Sequence, residues 1–212
     1  MMCYEFYDRN GGFMVDDLQG HLLFIEESPT AVHPVHFFFE EGNGILTSAR
    51  SFDAYPKDAH PIDPDHVVVE VGAGLGEFIP KLARNHKGRL TVIDPFDYVI
   101  AQAMLDFAKG LELADWQRLY VEELLERSGV YLDPNRVQLI SQPLSGAPEK
   151  EPSLIGSADL VVDFYGPMHY SRITVSGNSL VSPVKDLERR LLKPSGILVA
   201  KRAGGFPQVI RP

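Results

Sequence analysis

The stretch from His66 to Gly76, His-Val-Val-Val-Glu-Val-Gly-Ala-Gly-Leu-Gly, constrains this chain more than any other. An apolar, β-branched run of this kind is the pattern of a strand buried on both faces of a parallel sheet. Glycines at 72, 74 and 76 cannot extend such a strand; they let the backbone turn sharply and let a ligand approach it closely. A strand that ends in this turn and opens a helix presents backbone N–H groups and a positive helix end. The spacing separates two ligand classes. Dinucleotide sites use Gly-x-Gly-x-x-Gly, whereas here Glu77 stands where the third of those glycines would be. A glycine turn can also serve only to pack a helix on a strand. The acidic Glu70, two positions before the first glycine, weighs against that reading.

The rest of the chain predicts an α/β fold, Rossmann-like, with a mostly parallel sheet and helices on both faces. After the first strand, short apolar runs recur at Arg89–Ile93, Arg136–Ile140, Ala158–Asp163 and Gly196–Lys201. Helical patterns separate them over Glu77–Asn85, Tyr98–Lys109 and Leu113–Arg127, and after Ser182-Pro183, where Val184, Leu187 and Leu191 line an apolar stripe. The crossover from Gln142 to Ser157 is rich in Pro, Gly and Ser, and a full helix is not expected there. Residues 1–60 read as a separate N-terminal segment, a lid or a completion of the sheet, with strands at His21–Glu27 and Val35–Glu41. Residues 61–212 read as the ligand-binding domain.

Glu70-x-Gly72-x-Gly74-x-Gly76 resembles motif I of the class I S-adenosylmethionine-dependent methyltransferases, Glu/Asp-x-Gly-x-Gly-x-Gly, at every position. The resemblance implies that Gly72, Ala73, Gly74 and Gly76 pack on the aminocarboxypropyl arm of S-adenosylmethionine, with Glu70 anchoring that end. It also implies that Asp94, ending the second strand, accepts hydrogen bonds from the ribose hydroxyls, a geometry shared with dinucleotide folds. Pro95 and Phe96 follow and can pack on the adenosine. Gln142, after the third strand, stands where the family offers the adenine amine an acidic or polar group; the acidic residue common in the family is missing. Ala158–Val162 and Leu191-Leu192-Lys193-Pro194-Ser195-Gly196 resemble the family's fourth strand and the turn into its fifth, with Ser195 replacing a glycine. The resemblance runs from about Pro61 to Lys201.

Residues 163–170, Asp-Phe-Tyr-Gly-Pro-Met-His-Tyr, follow the fourth strand and are expected to face the reacting methyl. Methyl transfer needs an aligned nucleophile and, where that nucleophile is protonated, a base. Asp163 is the first candidate, for cofactor contact and for proton acceptance. His169 is the second, because an imidazole titrates near neutrality. A strand-end Asp is also a common turn former, and a single His is more often surface or satisfied core. No paired metal-ligand spacing occurs.

Family members continue past the fifth strand with a helix and an antiparallel strand pair, and too few residues follow Ala203 for both. The expectation is that the strands at His21 and Val35 complete the sheet instead, which would also protect the aromatic run Phe37-Phe38-Phe39 from lying on an edge. A homodimer is the other way to cover it. A formal charge of -9 disfavours a nonspecific grip on nucleic acid. One cysteine excludes an internal disulfide, and no apolar run nears the roughly 18 residues of a membrane span. These features leave the cytoplasm as the expected location, and the resemblance implies an enzyme methylating a small-molecule or protein acceptor. The alternative is a non-catalytic binder of S-adenosylmethionine or S-adenosylhomocysteine, or a partner subunit.

Overall fold

The structure, a computed structural model, describes residues 3–9, 11–26, 35–38, 44–47, 52–164, 166–167, 181–201 and 207–211. The described residues form two sheets. The first is an antiparallel meander of β1 (Glu5–Arg9), β2 (Gly12–Asp16), β3 (Leu22–Glu26), β4 (Val35–Phe38) and β5 (Gly44–Thr47), in that order. Strands β2 and β3 alternate as a one-sided sheet should: Phe13, Val15, Leu23 and Ile25 are fully buried, while Met14 and Phe24 between them are not. The buried face joins the main core, and Tyr4 stacks on Phe107 of the second unit at 4.9 Å between ring centroids.

The second sheet contains β6 (Val68–Val71), β7 (Leu90–Ile93), β8 (Gln138–Ile140), β9 (Ala158–Asp163), β10 (Leu192–Ala200) and β11 (Gln208–Ile210). Its spatial order is β11-β10-β9-β6-β7-β8, parallel throughout except for the β10–β11 pair. Chain direction across the sheet reverses between β6 and β9, which makes their carboxyl ends a topological switch point. Strand β6 is buried at all four positions, as its unbroken apolar run requires. Helices α1 (Phe78–Leu82), α2 (Tyr98–Lys109), α3 (Asp115–Leu132), α4 (Ala147–Lys150) and α5 (Val181–Leu191) connect the strands. Helix α2 starts where Asp97 caps it, its carboxylate accepting from the N–H groups of Val99 and Ile100 at 3.0 Å each. No helix among the described residues is long and apolar enough to cross a membrane.

Several expectations change. The N-terminal strands do not complete the parallel sheet; they build their own, in which β4 is internal, hydrogen-bonded to β3 and β5. The backbone edge of this aromatic strand is therefore protected by two neighbours rather than by the core sheet. At the other end of the chain, one three-residue strand, β11, fits into the few remaining residues and pairs antiparallel with β10. Helix α1 is five residues long rather than nine, because a turn follows soon after Pro80. Helix α3 runs five residues past Arg127, to Leu132. The crossover after β8 contains only α4 and a 3-10 turn over Pro152–Leu154.

Candidate cofactor and acceptor site

Residues of β6, β7, β8 and β9 end side by side. The amide of Gly72 donates to the carbonyl of Ile93 at 2.9 Å, and that of Asp94 to the carbonyl of Ile140 at 3.1 Å. Gly72, Asp94 and Gln142 therefore sit in one row at the carboxyl edge, with Asp163 closing β9. Two glycines of the loop adopt left-handed backbone, Gly72 at φ +66 and Gly74 at φ +51, where a side chain would be strained. A Cβ at Gly72 would also lie 2.2 Å from the Cα of Gly166, and one at Gly166 would lie 2.3 Å from the carbonyl oxygen of Val71. Gly72 and Gly166 are thus glycines because two backbones cross there. The sequence reading missed Gly166; its signal was a glycine three residues beyond the strand-end Asp163.

Asp94 ties the loop to the second strand. Its carboxylate accepts from the Gly74 amide at 2.6 Å, the Phe96 amide at 2.9 Å and the Tyr98 hydroxyl at 3.2 Å. It is almost fully buried, and burial raises its pKa against those three donors. A carboxylate has about four acceptor positions. One is left for a ribose hydroxyl; a grip on both hydroxyls requires Gly74 or Tyr98 to release its bond. Phe96 is buried and meets the Tyr98 ring edge-on at 4.9 Å, whereas Pro95 is exposed at the rim. Gln142 is half-buried at the end of β8.

Glu70 points to the layer of α1 and α3, and its carboxylate accepts from the Ile79 amide at 3.3 Å. Burial pushes its pKa up to about 8; the Ile79 donor opposes this, the charges of Asp94 and Asp163 add to it, and the Tyr131 hydroxyl opposes it. Ala73, Gly74 and Gly76 are buried in the same loop. Helix α3 holds the loop from outside: Arg127 donates to the carbonyl of Leu75 at 3.1 Å and the Tyr131 hydroxyl to that of Gly76 at 3.0 Å. Neither residue stands out by sequence, because both fall on the inner stripe of a long helix and one lies beyond its expected end.

Asp163 is completely buried and faces the opposite layer, where Val161 packs with Leu191 of α5. The Gly166 amide donates to its Oδ1 at 2.9 Å, which places Gly166 against the end of β6. Beside Asp163 lies a carboxyl that the sequence reading passed over, Glu188 of α5, also completely buried. It occupies the stripe of Val184, Leu187 and Leu191, where an apolar residue would be expected. His169 and Tyr165 lie outside the described residues. Among the described residues, no three His, Cys, Asp or Glu side chains are grouped as metal ligands would be.

The arrangement fits S-adenosylmethionine in two respects. Two left-handed glycines turn the chain at the switch point, and Asp94, already accepting from three donors, keeps one acceptor position.

No protein-family model and no curated protein sequence matches this chain. Among solved structures it is similar to spermidine synthase from Thermotoga maritima, with TM-score 0.45 and 14% identity, covering 93% of this chain and 62% of that one. It is also similar to Pyrococcus horikoshii TYW2 in complex with MeSAdo, with TM-score 0.36, 15% identity and coverages of 84% and 55%. A third is an S-adenosylmethionine-dependent methyltransferase from Thiobacillus denitrificans bound to S-adenosyl-L-homocysteine, with TM-score 0.33, 18% identity and coverages of 73% and 55%. The chain spans between 55% and 62% of the length of these three. The parallel strand order, its switch point and the glycine loop placed there are those of a Rossmann-like α/β fold.

Proposed function

We propose that this chain is an S-adenosylmethionine-dependent methyltransferase whose cofactor lies across the carboxyl ends of β6, β7 and β9. The observation that carries the reading is the bond from the Gly74 amide to Asp94, which puts the glycine loop and the strand-end acid within one hydrogen bond at the switch point. Gly72, Ala73, Gly74 and Gly76 would line the aminocarboxypropyl arm, with Glu70 beneath them. Asp94 would hold the ribose, exchanging an internal donor for a hydroxyl; Pro95, Phe96 and Gln142 would border the adenine. The cofactor supplies an activated methyl. The chain supplies orientation and a proton acceptor, for which Asp163 is the best-placed described group.

Calorimetric titration with S-adenosylhomocysteine and, separately, with NADH tests the reading. Binding of S-adenosylhomocysteine with a dissociation constant below about 100 μM is expected, some 5 kcal/mol of binding free energy, with no comparable binding of NADH. NADH binding alone would overturn it. Labelled methyl transfer into a cell extract then separates a methyltransferase from a chain that only binds the cofactor.

A further inference from the structure

We propose that Tyr98 is a specificity-determining residue that competes with the ligand: its hydroxyl occupies the place on Asp94 that the second ribose hydroxyl must take. This rests on the methyltransferase reading above, in which Asp94 holds the ribose. The two carboxyl oxygens of Asp94 differ. Among the described residues, Oδ1 accepts from the Phe96 amide alone, at 2.9 Å, and keeps one position open. Oδ2 accepts from the Gly74 amide at 2.6 Å and from the Tyr98 hydroxyl at 3.2 Å, which fills both of its positions. Vicinal hydroxyls that straddle a carboxylate address one oxygen each. The first finds the open place on Oδ1, and the second finds Oδ2 occupied. A proton on Asp94, which burial favours, would take the open place on Oδ1 and be donated to the first hydroxyl, so the count at Oδ2 stays the same.

Of the two donors on Oδ2, the Tyr98 hydroxyl is the one that can leave. The Gly74 bond is the shorter, and it belongs to a loop held along its length. The Gly72 amide donates to the Ile93 carbonyl and the Gly76 amide to the Ala73 carbonyl, both at 2.9 Å. From α3, Arg127 and Tyr131 hold the carbonyls of Leu75 and Gly76. Turning the Gly74 N–H away would move that loop. A phenol hydrogen turns about its own C–O bond with no heavy atom displaced. The ring stays in place, because Tyr98 is buried at the start of α2, behind the Asp97 cap, with Phe96 edge-on at 4.9 Å and Tyr131 at 4.8 Å.

Competition of this kind has a sign opposite to that of packing. If the phenol only satisfied a buried carboxyl, deleting its oxygen would leave ligand affinity unchanged or lower it. A phenol that must be displaced makes the ligand break one hydrogen bond each time it binds, and deleting the oxygen removes that requirement. The net strength of such a bond corresponds to about fivefold in affinity. Only a ligand that carries the displacing hydroxyl gains from the deletion. Tyr98 therefore narrows the preference of the site for a ribose over a deoxyribose.

The test is calorimetric titration of S-adenosylhomocysteine and its 2′-deoxy and 3′-deoxy analogues into wild type and Tyr98→Phe. The variant is expected to bind S-adenosylhomocysteine about fivefold tighter than wild type. That gain should vanish with at least one of the two analogues, a dependence on the ligand that a merely structural role for Tyr98 would not produce. Infrared difference spectra of wild type give a readout that needs no variant: a tyrosine C–O stretching band should shift on binding S-adenosylhomocysteine and stay in place on binding at least one analogue. Equal or weaker binding of S-adenosylhomocysteine by the variant, a gain kept with both analogues, or a tyrosine band that S-adenosylhomocysteine leaves in place would each overturn the proposal while the methyltransferase reading stands. A wild type that binds none of the three ligands overturns both.

Discussion

The tightest constraints in this molecule act on single residues whose backbones nearly touch. Gly72 and Gly156 share the same left-handed φ of +66, yet their surroundings differ. Nothing lies within 4 Å of a Cβ at Gly156, so Gly156→Ala should cost only the conformational penalty, about 1–2 kcal/mol. At Gly72 the same substitution meets the backbone of Gly166, which cannot rotate away as a side chain can. A further cost of about 1–3 kcal/mol is expected there. Urea unfolding of the two variants measures the difference directly; equal losses would mean that the crossing of residues 72 and 166 is not a tight contact. The pair also explains why the glycine loop and the segment after β9 were legible separately but not as partners. Spacing identifies a turn, but it carries no information about which distant backbone will lie upon it.

At the scale of elements, α3 is the support of the loop. It delivers Arg127 to the Leu75 carbonyl and Tyr131 to the Gly76 carbonyl, and Arg127 is itself buried between Glu77, at 3.8 Å, and Glu123. Tyr131→Phe removes one neutral hydrogen bond and should cost about 1 kcal/mol in unfolding free energy. Arg127→Met leaves buried Glu77 without this cation, although Lys81 still reaches it at 2.6 Å, and should cost more, about 3 kcal/mol. Under the proposed function, both should weaken S-adenosylhomocysteine binding in calorimetry, since the loop they fix is the one that holds it; unchanged affinity in both would limit α3 to a packing role. The elements that apolar period and glycine punctuation define were readable: all five parallel strands, and α2 to the residue. Elements set by tertiary contact were not. Strands β1, β2 and β5 contain polar or small residues such as Glu5, Asp8, Gly12 and Gly44, and only pairing in the meander makes them strands. Strand β11 is three residues long and exists through β10. The candidate site divides the same way. Glu70, Asp94 and the glycines follow from a motif, while Glu188 is visible only once α5 is laid against β9.

For the molecule as a whole, the placement of carboxyls predicts how stability responds to pH. Glu70, with a pKa of about 8, holds a proton that the unfolded chain would release near 4, and burial raises Asp94 and Glu188 in the same direction. Between about pH 4.5 and about 8 the native chain therefore binds more protons than the unfolded one, and stability falls as pH rises through that window. Asp17 and Asp159 act in the opposite sense. Burial pushes each up, but the N–H groups of His21 and Gln19 with the His21 ring outweigh it at Asp17, and Lys193 with the Val67 amide outweighs it at Asp159. Their contribution is present above about pH 4 and is lost as pH falls through their lowered values. The two groups together place maximum stability on the acidic side of neutrality. Glu70→Gln removes the largest ordinary titration from the upper limb while keeping an oxygen for the Ile79 amide. Its melting temperature should therefore change much less than wild type between pH 5 and pH 8, with the variant gaining stability relative to wild type at the higher pH, by up to several kcal/mol on the scale of about 1.4 kcal/mol per pKa unit. Thermal unfolding followed by circular dichroism across that range reads the slope directly. A wild type that grows more stable up to pH 8, or a variant that follows the same slope, would mean that Glu70 is ionised in the folded protein and that the buried field beneath the glycine loop is balanced by a cation.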